Sequence, residues 1–469
     1  MENSLFDLFR KEKKIFEEYK EKNPELLFSP KIPEREIFSW IGVKIDFPYR
    51  PKGYLRLYLQ DFIVEEISLD EKISEIEPKE SEEIPQFSPF TLYANLVKVG
   101  ISTSEAIFSL ARRLNINPNK IGYGGLKDIN AITSQKISFP NIDLQLLEEI
   151  KKISFPNFFL TDFSFGKGTL TPGQIFGNRF TIFIRTREKL EEGWVSQKLE
   201  KIKKERFLNF YGPQRFGTPR FLAHRFGKLI LQGKYKDAIL AFLFQPGLKE
   251  IPLIKNCRNE AKSYFPNWEK VEKCFQKFPY TFRQELRLLS YLKHHPKNWV
   301  GALVFLKDQT TLWVYAYASY LFNLLLSLEK KINLPSEIPL LLSDEEKDLE
   351  LYKPWLVRDE IENFIEKIKP FRFLILKKRL VKSKIFPRQI QFKILPEGII
   401  LCFILEKGAY ATTFLMNLFE IETGEPLPEW VKTQEYDIKK ELQIGSVEKI
   451  KKILGQDIFK IYKLEETDS

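Results

Sequence analysis

Apolar residues recur along the chain at two spacings. Leu5, Leu8, Phe9, Ile15, Phe16 and Tyr19 stand among lysines and glutamates, which predicts an amphipathic helix over 5–22. After "FPYRPKGYLRLYLQDFIVEEI" the pattern turns extended, and residues 71–89, charged and proline-bearing, predict a loop. "TLYANLVKVG" at 91–100 predicts a strand. The helix that follows carries Ser102 and Glu105 as a capping box and Ala106, Ile107, Leu110, Ala111 and Leu114 as its apolar face. "NAITSQKISF" and "NRFTIFIRTR" alternate like strands, "SQKLEKIKKERFLNF" reads as a basic helix, and helical patterns dominate from about 225 to 380. Extended structure returns in "GIILCFILEKGAYATTFL". This order predicts a mixed α/β body, interrupted by a helical insertion and completed by a late strand and helix. The charge-free stretch 312–328 is close to the minimum length of a membrane span. It also holds Asn323, two serines and three tyrosines and has no companion span, so a helix buried in a large core is expected.

Length and charge narrow the functional classes. A chain of 469 residues is long enough for two or three domains. The 74 Lys and Arg against 63 Asp and Glu leave +11, a surplus that suits a polyanion, with nucleic acid foremost and a solvated basic surface as the alternative. Abundant lysine and 41 Phe fit an A/T-biased genome or heat adaptation equally well. Cys257, Cys274 and Cys402 are widely separated and odd in number, which indicates neither a zinc knuckle nor a disulfide framework and suits a reducing cytosol. His224, His294 and His295 offer no metal spacing. No metal is expected. The charged N-terminus lacks the apolar core of a signal peptide, so a cytoplasmic location without membrane attachment is expected.

The most informative stretch is "GYGGLKDINAITSQ", residues 122–135. In isolation, a Gly-x-Lys-Asp reads as an ordinary turn. Its surroundings change that reading. The sequence resembles the TruD-type tRNA pseudouridine synthases, whose motif G-x-K-D-x-x-A-x-T-x-Q is matched in full by Gly125, Lys127, Asp128, Ala131, Thr133 and Gln135. "NFYGPQRFG" at 209–217, "GNRFTIFIR" at 177–185, "YAYASYLFN" at 315–323 and "GAYATTFL" at 408–415 resemble further blocks of that family, in its order. Two positions depart from the pattern. Arg56 stands where the family usually has lysine, ahead of Asp61, Phe62, Val64 and Glu66, and Met416 and Asn417 replace its common Arg-Glu.

The resemblance implies an α+β fold: a pseudouridine-synthase catalytic core with a mixed, mainly antiparallel sheet, interrupted by a largely helical TRUD insertion domain. The boundaries expected are an N-terminal extension 1–40, core 41–217, insertion 218–388, closing strand and helix 389–430, and a C-terminal extension 431–469. It implies tRNA as partner, uridine 13 as the best-known target, and no protein partner. Isomerising uridine moves the ribose bond from N1 to C5 of the same base, so no cofactor is expected. What is needed is one carboxylate acting as nucleophile or base at the sugar, and Asp128 is the candidate. Arg56 is expected to keep it charged, with Lys127 as the alternative cation within the motif. Gly122, Gly124 and Gly125 are expected to allow a tight turn and close RNA approach. Tyr211, then Phe62, are the candidates to hold the displaced uracil, while Asn209 would bond the base or the Asp128 loop and Thr133 and Gln135 would support the site. The acid-free run 377–393, with Lys377, Lys378, Arg379, Lys382 and Lys384, is the candidate RNA path, and Lys201–Arg206 is a lesser one; a solvated face is the alternative for both. The competing functions are an RNA-binding or RNA-folding protein of the same fold without catalysis, and a pseudouridine synthase acting on another RNA. A glycoside hydrolase would need a second carboxylate facing the same bond, and none stands out beside Asp128.

Overall fold

A computed structural model describes residues 5–78, 88, 90–343, 345–361, 363–424 and 426–455. Most of the charged loop expected at 71–89, and the chain after 455, lie outside the described residues. The chain divides into two compact units, one formed by Met1–Phe47 with Leu208–Lys384 and the other by Pro48–Phe207 with Ile385–Ser469.

The second unit is built on an eleven-stranded sheet. Its first eight strands are β1 (Lys52–Leu55), β2 (Phe62–Ile67), β3 (Thr91–Val99), β4 (Gly122–Tyr123), β5 (Ile132–Phe139), β6 (Ser154–Phe155), β7 (Phe158–Gly166) and β8 (Gly177–Thr186). From one edge the order is Arg388–Leu395, Gly398–Glu406, β8, β2, β5, β3, β7, β6; β1 pairs with β8 and with Glu420–Glu422, and β4 pairs with β5. Only β2–β5 and β1 with Glu420–Glu422 run parallel. The sheet is thus mixed and mainly antiparallel, and the late strand Gly398–Glu406 closes it against β8.

Alternation along the strands divides the core between two faces. Phe62 and Val64 join Ile182, Ile184, Leu401 and Phe403 in a cluster that packs against helix Glu192–Glu205. On the same face, Leu92, Ala94, Leu96, Ile137 and Phe139 pack against helix Thr103–Arg113. The capping box expected at Ser102 and Glu105 is present there. Pairing Val64 with Thr133 and Thr133 with Lys98 sets those three side chains on that face between the two clusters. The opposite face, bearing Ile63, Val97, Val99, Ile132 and Phe183, is covered by Ile438, Leu442, Val447, Ile450 and Leu454 of the C-terminal segment. That segment is also held by ions. Glu65 pairs with Lys439 at 2.6 Å and with Arg179 at 2.7 Å, all three buried or nearly so. Arg185 pairs with Asp61 at 2.5 Å and donates to the carbonyls of Lys432 and Gln434.

The first unit is helical. The charge-free stretch forms helix Lys307–Leu326, with Val314, Ala316, Ala318 and Leu321 fully buried. Its Asn323 accepts from the Tyr211 amide and donates to the carbonyls of Tyr211 and Ile41. No helix among the described residues is long and apolar enough to cross a membrane. The N-terminal helix Leu5–Lys22 is fastened by Glu12, whose buried carboxylate accepts from the amides of Tyr280 and Thr281 and from the Thr281 hydroxyl. Residues 5–47 thus pack as part of the helical unit.

Candidate active site

The Asp128 loop joins β4 to β5 and is held at several points. The Thr103 hydroxyl accepts from the Lys127 amide and donates to Gln135 Oε1, and Gln135 Nε2 donates to the Gly125 carbonyl at 2.9 Å. The first helical residue of Thr103–Arg113 therefore clamps the loop onto β5. Gly122 and Gly124 are required by close packing and not by an unusual turn, since neither has a positive φ. A Cβ would stand 2.4 Å from the Leu170 carbonyl at Gly122 and 2.4 Å from Ile175 at Gly124, whereas Gly125 has open space. At Gly122 and Gly124 the absence of a Cβ thus serves close contact with residues 169–175.

Side chains alternate along the loop. Leu126 and Ile129 are exposed, Lys127 turns inward to pair with buried Glu66 at 2.6 Å, and Asp128 is partly exposed. Asp128 Oδ1 lies 2.7 Å from Arg56 Nη2, with 29% of the carboxylate side chain accessible. Lys127, the other cation weighed for this carboxylate, is committed to Glu66. Arg56 follows β1 with a positive φ of 65°, and its guanidinium lies 4.0 Å from the centroid of the Phe62 ring. Phe62 is 1% exposed and packs against Phe180. Expected as a candidate to stack on uracil, it instead has its face covered by the arginine it supports. The Thr133 hydroxyl is buried without a hydrogen-bond partner in the described structure.

Asn209, Tyr211 and the basic residues from Lys377 to Lys384 lie in the helical unit. Asn209 donates its side-chain amide to the Lys382 carbonyl and its backbone amide to Ser383. Tyr211 is nearly buried, edge-on to Phe322 and under the Arg215 guanidinium. The basic run is not uniformly available to an anion. Lys378 pairs with Glu345 and Asp348, and Lys384 with Glu329 at 2.6 Å, whereas Lys377, Arg379 and Lys382 are exposed, Arg379 lying over the Tyr315 ring. In the lesser run Lys201 and Lys203 pair with Glu205 and Glu200. Met416 contributes its carbonyl, which accepts from Arg50, and Asn417 donates to the Thr413 carbonyl.

Lys98 belongs to none of the motifs that mark the site in the sequence. It is fully buried near the end of β3, and its ammonium donates to the carbonyls of Asp128 and Ile101 at 2.7 and 2.8 Å. Burial pushes it down from 10.5 to about 7, partly offset by Asp128. Its only signal in the sequence is that it is the one charged residue of β3.

A mixed, mainly antiparallel sheet that presents an aspartate on a Gly-x-Lys-Asp loop, in a chain interrupted by a helical unit, marks the protein as a pseudouridine synthase. Residues 50–344 match the family model described as tRNA pseudouridine synthase D (TruD), and the chain belongs to that family. It is 28% identical over 385 residues to a protein of Methanocaldococcus jannaschii named probable tRNA pseudouridine synthase D 1, covering 78% of this chain and 95% of that one. A Pyrobaculum aerophilum protein named probable tRNA pseudouridine synthase D is 28% identical over 411 residues, covering 80% and 93%. The crystal structure of a candidate TruD from Methanosarcina mazei shares the fold, with a TM-score of 0.61 at 23% identity over 84% of this chain and 99% of that one.

Proposed function

We propose that this enzyme converts a uridine of tRNA, uridine 13, to pseudouridine, with Asp128 acting on a uridine turned out of its stack. The observation that carries the reading is the Asp128–Arg56 pair: an accessible carboxylate at 2.7 Å from a cation, on a loop with the complete motif. The relatives named tRNA pseudouridine synthase D and the surplus of +11 support tRNA as the substrate class. Asp128 serves at the sugar as nucleophile or base while the bond from C1′ to N1 breaks. The base turns, C5 bonds to C1′, and the C5 hydrogen leaves as a proton while N1 gains one, so composition is unchanged. Arg56 pairs with the carboxylate and places a positive charge beside it, Phe62 backs Arg56, and exposed Leu126 and Ile129 offer apolar contact beside the reacting group. Asn209 and Tyr211 are assigned by motif position as RNA-contacting or supporting groups of the helical unit. The target is tested by mapping pseudouridine in a tRNA transcript after incubation with the enzyme. A new pseudouridine at position 13, lost when that uridine is replaced by cytidine, is expected; modification only elsewhere would rule out this target.

The RNA path is proposed to include Lys377 and Arg379, exposed cations of the basic run. Replacing Lys377 and Arg379 together by Ala should weaken tRNA binding and flatten its dependence on salt, by about one unit of logarithmic slope for each phosphate that the protein no longer neutralises. Lys378→Ala should leave the slope alone, because Glu345 and Asp348 already neutralise that ammonium. A wild-type slope in the double variant would place the RNA elsewhere.

A further inference from the structure

We propose that Lys98 is a positioning residue for catalysis, whose sealed ammonium holds the Asp128 main chain and so places the carboxylate at the sugar. The inference rests on Asp128 being the reacting group, a point that Asp128→Asn tests separately.

The geometry is specific. On β3, Leu92, Ala94 and Leu96 occupy the same face as Lys98 and are fully buried in an apolar cluster. Continuing that row with another aliphatic residue would satisfy packing, yet a lysine is placed there. A buried ammonium is costly unless its donors are used. Two of them are used on carbonyls from separate segments: Ile101, just before the Ser102 cap of helix Thr103–Arg113, and Asp128 itself. Thr103 and Gln135 hold the Lys127 amide and the Gly125 carbonyl, so Lys98 fixes the one residue of Gly125–Asp128 whose side chain reacts. No carboxylate pairs directly with it among the described residues. The groups facing it are Asp128 and Lys127 from the loop, Glu105 from the helix, and Thr133 and Phe158 across β5 and β7. Of these, Asp128 and Glu105 favour the ammonium, Lys127 opposes it, and the unpartnered Thr133 hydroxyl and the Phe158 ring carry no charge.

This environment leaves Lys98 titrating at about 7. Below that pH the ammonium makes charge-assisted bonds to both carbonyls; above it the amine keeps N–H donors but loses the charge that strengthens them. Loop placement, and with it kcat, should therefore decline as pH rises through 7. Binding of tRNA should not, since Lys98 is buried and touches no RNA.

The test measures single-turnover rate against pH, together with kcat and KM, for the wild type, Lys98→Met and Lys98→Gln. Wild type should show a fall in rate centred near pH 7. Lys98→Met, similar in shape but uncharged, should lose about 10²-fold in kcat with KM within about twofold, the scale expected when a reacting group is displaced by about 1 Å. Lys98→Gln retains one amide donor, so it should fall between the two, and neither variant should show the inflection. A wild-type profile flat from pH 6 to 8.5 would overturn the proposal without requiring any variant to fold. So would a folded variant that keeps wild-type kcat, or one that loses kcat while retaining the inflection.

Discussion

Asp128→Asn is expected to fold and bind tRNA as the wild type does, while single-turnover formation of pseudouridine falls by roughly 10⁴-fold or more. An amide keeps the shape of the side chain and can still sit beside Arg56, but it is neither a nucleophile nor a base for ribose. The fold should tolerate it. The loop is held by Thr103, Gln135 and Lys98 through the backbone of Gly125, Lys127 and Asp128, and none of these bonds uses the carboxylate. The side chain is also partly exposed, and the amide oxygen of Asn can still accept from Arg56. Thermal melting and tRNA affinity should match wild type, and turnover within tenfold of wild type would remove Asp128 from the chemistry.

Arg56→Met should cost about 10²–10³-fold in kcat, the range seen when one charge-stabilising group is removed from an active site. The side chain pairs with Asp128 at 2.7 Å and is itself largely shielded, so its Coulomb effect is screened less than at an open surface. Without it the carboxylate loses both its neighbouring positive charge and its hydrogen-bond donor. Arg56→Lys should retain activity within about tenfold, since the position needs a cation and an ammonium can also sit over the Phe62 ring. An Arg56→Met enzyme with the wild-type kcat would show that Arg56 plays no part in supporting Asp128.

What could be read from the chain depended on how local each feature is. The capping box at Ser102 and Glu105, the alternating strands and the late strand Gly398–Glu406 are local patterns, and each is formed where periodicity and cap chemistry predict it. The buried helix Lys307–Leu326 was legible because Asn323 and three tyrosines are poor lipid-facing residues, and the fold uses Asn323 to bond two distant segments. Features set by tertiary register were hidden. Lys127 turns from Asp128 because Glu66, on the neighbouring strand, is the partner that the parallel pairing of β2 and β5 brings beneath the loop. Phe62 supplies a platform for Arg56 instead of a surface for uracil because it sits on a core-facing position of β2. The basic run looked uniform in one dimension, yet Lys378 and Lys384 meet Glu345, Asp348 and Glu329, acids contributed from at least thirty residues earlier. The C-terminal segment carried no motif, and its role emerges only from Lys439 against Glu65 and the aliphatic row from Ile438 to Leu454.

The most direct test of the whole account is release of tritium from tRNA whose uridines carry the label at C5. Forming the bond from C5 to ribose expels that hydrogen, whereas binding, folding or hydrolysis of RNA does not. Wild-type enzyme without added metal or cofactor should release tritium to a plateau of one equivalent per tRNA, and Asp128→Asn should release none on that timescale. Absence of release by a folded, tRNA-bound wild-type enzyme, or equal release by Asp128→Asn, would contradict the account.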